Sequence, residues 1–335
     1  MSLSEFMKPS EIKSEIIDNY QLGLASFVWG HPGIGKSDVI NQVVETMGIG
    51  LVDIRVAGKD PVDMSGLPSI KDGMAVWNVP AMLPQVARDG EQGVLFLDEL
   101  TSALPAMQTV AYQLVLEGKC GDYTLPPGWQ VIAAGNPTSS RAVSIRQSTA
   151  LAGRFGHYDM EVDHAEWLDW GRTKPINDDL LAFIKYKPDL LNDVDFDANP
   201  RERPCPRTWE FVNRHFPVMT EANCFHKVAA FVGKGAATEF NAFMQIVAGL
   251  PTIESILQNP TTAIVTEDPA TVHATIAMLF KHVTPANFGT LMKYVMRLPE
   301  EFQAYFTLDV IKRDDSMAAT PEFLTWAQAN ATRLM

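Results

Sequence analysis

Hydrophobic positions change period along this chain, and the changes mark its elements. Ile12, Ile16, Ile17 and Tyr20 recur at near-helical spacing and predict a short amphipathic helix over residues 8–20. Apolar runs at 24–29, 51–56, 94–97 and 129–135 predict strands, with a shorter one at 157–162. Val94-Leu95-Phe96-Leu97 does not alternate, which is the mark of a strand buried on both faces of a sheet. Helices are predicted after the first strand, over 81–88 and over 104–117. Lys71-Asp72-Gly73 between apolar flanks reads as a hairpin turn, and 118–125 suggests a second hairpin. A helical segment opens near Glu166, and the charges and prolines of 193–206 read as a linker. From Arg207 a run of helices reaches the end of the chain, with breaks near Gly233, Pro251, Pro260 and Pro299. The expected fold is α/β, a parallel sheet flanked by helices over 1–192, a linker at 193–206 and an all-α part over 207–335.

The loop between the first strand and its helix carries the chemistry. Gly30-His31-Pro32-Gly33-Ile34-Gly35-Lys36-Ser37, followed by Asp38, fills every fixed position of the P-loop pattern in the strand-loop-helix setting the pattern requires. Glycines there permit turns that aim successive N–H groups at phosphate oxygens, and the helix that opens near Lys36 adds the positive end of its dipole. Lys36 is expected to reach the β- and γ-phosphates, and Ser37 to ligate Mg²⁺ through its hydroxyl. Asp98-Glu99 ends the buried run 94–97. Two adjacent acids there make either a solvated turn or, beside a P-loop, a Walker-B pair. In the second case Asp98 holds the Mg²⁺ shell and Glu99 polarises the attacking water. Asn136, which ends the strand 129–135 before Pro137, is either a turn residue or an amide that orients that water.

Composition narrows the class. At 335 residues the chain exceeds the usual single hydrophobic core, so two domains are expected. A formal net charge of −13 argues against a surface that wraps duplex nucleic acid. Cys120, Cys205 and Cys224 are odd in number and lack metal-ligand spacing, which points away from disulfides or zinc and towards a cytoplasmic, reducing setting. The first residues carry no apolar signal core, and no run reaches membrane-span length.

The order of these parts resembles that of AAA+ ATPases, and within them the MoxR-like group of the helix-2-insert clade. The inserted hairpin at Lys71-Asp72-Gly73, Ala134-Gly135-Asn136-Pro137 and Pro206-Arg207-Thr208-Trp209 carry the likeness, over about residues 10–212. It implies a P-loop NTPase core with an all-α lid, ATP and Mg²⁺ as substrate and cofactor, and hydrolysis to ADP and phosphate in a homo-oligomeric ring, usually a hexamer. It also implies roles for single residues: Asn136 as sensor 1, Arg154 as the arginine finger reaching a neighbour's γ-phosphate, and Arg207 as sensor 2. Arg141 and Arg146 are alternatives for the finger, and Arg207 could simply pair with Glu210. Relatives act as chaperone-like remodellers of client proteins, commonly with a von Willebrand factor A domain protein. The competing reading is a nucleic-acid motor or loader, for which the two hairpins offer chiefly Lys71 and Lys119 beside Asp72 and Asp122.

Overall fold

The computed structural model describes residues 6–137, 153–193 and 203–330. Contacts gather the chain into two compact units, Met1–Glu166 and Trp167–Met335.

In the first unit, β1 (Phe6–Met7), β2 (Ser26–Trp29), β3 (Gly50–Arg55), β6 (Gln92–Asp98), β9 (Gly128–Gly135) and β10 (Gly156–Met160) form one sheet in the order β1-β10-β2-β9-β6-β3. Every pairing in it is parallel. Parallel neighbours need crossovers, which place helices on the sheet faces and bury both. Val28, Val94, Phe96 and Ile132 pack with Ile12 and Ile16 of α1 (Pro9–Leu22) and with Val39, Ile40 and Val43 of α2 (Lys36–Met47). On the other face Phe27, Leu95, Leu97 and Val131 form a separate cluster with Met107, Ala111 and Leu114. That double burial is why the apolar runs do not alternate.

Two hairpins stand off this sheet. β4 (Leu67–Lys71) pairs antiparallel with β5 (Met74–Asn78), and Asp72 and Gly73 turn between them at φ 53° and 78°, the left-handed pair that a tight hairpin requires. Every residue of both strands is exposed. β7 (Lys119–Cys120) and β8 (Tyr123–Thr124) make the second hairpin. It is fastened to the first insertion: Cys120 Sγ donates to the Met64 carbonyl at 3.3 Å, and the Trp77 N–H donates to Asp122 at 3.3 Å. α3 (Pro61–Ser65) leads into the insertion, and α5 (Pro105–Glu117) runs into the second hairpin. The helix expected over 81–88 is a single turn, α4 (Val86–Asp89), because Pro84 has no N–H to give and disfavours helix at the residue before it.

The second unit is helical: α6 (His164–Thr173), α7 (Asp178–Tyr186), α8 (Pro206–His215), α9 (Cys224–Ala248), α10 (Ile253–Gln258), α11 (Pro269–His282), α12 (Phe288–Val295), α13 (Glu300–Arg313) and α14 (Pro321–Ala329). Gly233 leaves helical geometry and kinks α9, while Pro251, Pro260 and Pro299 fall between helices, at the breaks the sequence marks. By contact, residues 167–192 belong to this unit; most of the expected linker, 194–202, lies outside the described residues. Phe183 is fully buried against Trp209 and Phe240, with ring centroids 5.5 and 5.0 Å away.

Asp309 of α13 is 3% exposed and takes Arg172 Nε at 2.6 Å and Arg313 Nε at 3.2 Å. Asp309→Asn removes a buried acceptor shared by two guanidiniums, but Arg172 keeps Asp169 at 2.5 Å and Arg313 keeps Asp178 at 2.9 Å, so the expected cost is about 1–3 kcal/mol of stability. Denaturant unfolding of the full chain measures this, and a loss below about 1 kcal/mol would contradict it.

Candidate active site

Parallel strands present their carboxyl ends on one edge of the sheet. β2, β6 and β9 are neighbours or near neighbours, so the residues that follow them meet there despite their distance in sequence. The loop from Gly30 to Ser37 leaves β2 and enters α2, with Gly33 at φ 86° and Gly35 at φ 102°, conformations that a side chain resists. Gly35 caps α2, so the first-turn N–H groups of that helix border the loop. Ile34 is buried under the loop and Pro32 is half-buried within it, while Asp38 lies exposed in the first turn of the helix.

Lys36 is buried, and its ammonium donates to the carbonyls of Gly30 at 2.7 Å and His31 at 3.0 Å. It also donates to Asn136 Oδ1 at 3.0 Å, which ties the first strand's loop to the end of β9. Ser37 Oγ lies 3.3 Å from Asp98 Oδ2, and the other oxygen of this buried carboxylate accepts the Glu99 N–H at 2.8 Å. The structure thus brings Lys36 together with Asn136, and Ser37 with Asp98, at one end of the sheet. Glu99 follows directly, at φ 56°, a left-handed conformation rare outside glycine and costing on the order of 1–3 kcal/mol. That conformation turns the chain into the 3₁₀ turn Leu100–Ser102 and leaves the Glu99 side chain partly exposed beside Asp98.

Two residues at this edge escape the sequence reading. Arg55 ends β3 in register with Asp98, and its guanidinium lies 3.6 Å from Glu99 Oε1 and 3.9 Å from Asp98 Oδ2. Its position at the end of the run 51–56 was the available signal. Thr101 is buried and accepts the Asn136 N–H at 3.0 Å. The corner is electrostatically crowded with acids: burial, and then the Asp98 carboxylate, push the Asp53 carboxyl above its ordinary range.

Arg154 is placed elsewhere. It is exposed just ahead of β10, whose Gly156 pairs with Ser26 at the amino end of β2. Four residues of strand separate Ser26 from Gly30, about 13 Å at ~3.3 Å per residue. Within one chain, then, Arg154 stands at the opposite edge from Lys36, Asp98, Glu99 and Asn136. Arg207 lies exposed in the first turn of α8 in the helical unit, and Glu210 pairs with Arg214 at 2.5 Å. Arg141 and Arg146 lie outside the described residues.

Among the described residues no three His, Cys, Asp or Glu side chains gather as a metal site. Mg²⁺ asks for less: one or two protein oxygens, the remainder coming from phosphates and water. Ser37 Oγ and Asp98 Oδ2 are hard oxygen donors close enough to share such an ion. No described helix is long and apolar enough to cross a membrane.

No family model and no curated protein matches the chain. Among solved structures it is similar to the Holliday junction branch migration motor RuvB of Thermotoga maritima, at 15% identity over 82% of this chain and 84% of that one, TM-score 0.39. It is also similar to NtrX of Brucella abortus in complex with ADP, at 12% identity over 92% and 68%, TM-score 0.42. Overlap at this level decides neither family nor activity.

Proposed function

We propose that the chain is an AAA+ ATPase of the MoxR-like kind, working as an oligomeric ring and coupling ATP hydrolysis to remodelling or maturation of a client protein. The observation that carries this reading is the convergence of Lys36, Ser37, Asp98, Glu99 and Asn136, from three separate strand ends, on one loop of backbone donors. In this mechanism the ammonium of Lys36 exchanges the Gly30 and His31 carbonyls for β- and γ-phosphate oxygens. Ser37 and Asp98 would hold Mg²⁺, which supplies charge neutralisation across the phosphates. Glu99 polarises the attacking water, and Asn136 orients it towards the γ-phosphate. Arg55 holds Glu99 until ATP is in place. Arg154 of a neighbouring subunit stabilises the charge that develops on the transferred group, and Arg207 reports the nucleotide to the helical unit.

The exposed Leu67, Ile70, Met74, Val76 and Trp77 of the β4–β5 hairpin favour a protein client over a phosphate backbone, which would require a basic surface. A von Willebrand factor A domain protein is the first partner to look for. Release of phosphate from ATP and Mg²⁺ by the full chain tests the enzymatic reading; no turnover at any protein concentration would overturn it. Salt-sensitive stimulation of that turnover by DNA would replace the protein client with nucleic acid.

A further inference from the structure

We propose that Thr101 is the positioning residue for Asn136, and so for the water-orienting half of the site; the assignment rests on the ATPase reading above. The geometry starts at Glu99, whose left-handed turn brings the chain back over the end of β9. The ladder between β6 and β9 reaches its last pair at Leu97 and Ala133, three residues short of Asn136. Past that point the Thr101 side chain continues the ladder, because its Oγ1 accepts the Asn136 N–H at 3.0 Å. On the other side of the same peptide the Gly135 carbonyl accepts the Gly30 N–H at 3.2 Å. The peptide that carries Asn136 is therefore held between the P-loop and the turn after Glu99.

The fit is close. A Cβ on Gly135 would stand 2.4 Å from Thr101 Cγ2 and 2.9 Å from the Phe27 ring, so glycine is what lets the turn approach this strand. Thr101 itself is 1% exposed. Its methyl fills the space against Gly135 and its hydroxyl sets the height of Asn136, whose carboxamide oxygen then meets Lys36 at 3.0 Å. In this assignment Thr101 acts through Asn136. It fixes the distance between the residue that activates the water and the residue that orients it.

Thr101→Val keeps the shape and deletes the acceptor, whereas Thr101→Ser keeps the acceptor and deletes the methyl. With Thr101→Val, kcat for ATP is expected to fall about tenfold or more, as small displacements of reacting groups do, while the Kd for a non-hydrolysable ATP analogue stays within about twofold. Thr101→Ser should retain most of the rate. In a double-mutant cycle, Asn136→Ala should cost far less in the Thr101→Val background than in the unaltered chain, because its task is already lost. Should Thr101→Val fail to fold, Thr101→Ala removes acceptor and methyl together, and its loss of kcat beyond that of Thr101→Ser reports the acceptor. An unchanged kcat in Thr101→Val or Thr101→Ala, or full multiplication of the two losses in the cycle, overturns the assignment while leaving the ATPase reading in place. No ATP turnover by the unaltered chain overturns both.

Discussion

Glu99→Gln is expected to bind ATP as tightly as the unaltered chain and to hydrolyse it about 10²–10⁴-fold more slowly, the usual contribution of a positioned general base. The substitution keeps size and the ability to hydrogen-bond, and it removes only the charge that polarises water. Binding should survive because the groups that face phosphate in this proposal are Lys36, Ser37 and the loop N–H groups, none of which touches the Glu99 carboxylate. Arg55 loses an exposed partner at 3.6 Å, and an exposed ion pair contributes at most about 1 kcal/mol. The measurement is paired: equilibrium binding of ATP, and phosphate release at saturation. Undiminished release removes Glu99 from its role and would leave its left-handed backbone without a functional account. A trapped ATP state is also the form in which a client or partner should co-purify.

Arg154→Ala is expected to lower hydrolysis by about 10³–10⁵, the range an arginine finger supplies. The direction of the sheet makes this more than a loss-of-function test. Arg154 sits beside the amino end of β2 and the P-loop at its carboxyl end, so one chain cannot bring them together without unmaking the sheet. Lys36→Ala subunits lack the ammonium but keep the finger; Arg154→Ala subunits have the reverse. Mixed together, each inactive alone, they should regain part of the activity wherever an Arg154 from one faces a Lys36 of the other. No recovery at any ratio would remove Arg154 as a finger acting across an interface.

The sheet was readable from sequence because its strands are covered on both sides, which leaves long apolar runs such as Val94 to Leu97. The loop from Gly30 to Ser37 and the Asp98-Glu99 strand end stood out because each follows an apolar run, and the loop fills every fixed position of the P-loop pattern. β1 was not, since two residues carry no period and Phe6 is half exposed. The helix over 81–88 shrank to one turn because a proline outweighed the apolar spacing. Arg55 and Thr101 escaped for a different reason. Their parts in the site come from strand register and from one left-handed turn, and neither is written in local composition.

The paired lengths of β2 and β10 act as a gauge block. Gly156 to Asp159 matches Ser26 to Trp29 residue for residue, so the separation between a chain's Gly30–Ser37 loop and its Arg154 is set by a whole number of strand residues. Such a gauge adjusts only in steps of two. Loss or gain of one residue would turn Phe27 and Val28 to the wrong sides of the sheet and exchange the two cores they serve. In a ring built on this contact, subunit spacing would be inherited from the pleat of the strand, and length changes that preserve the ring would come as matched pairs in both strands.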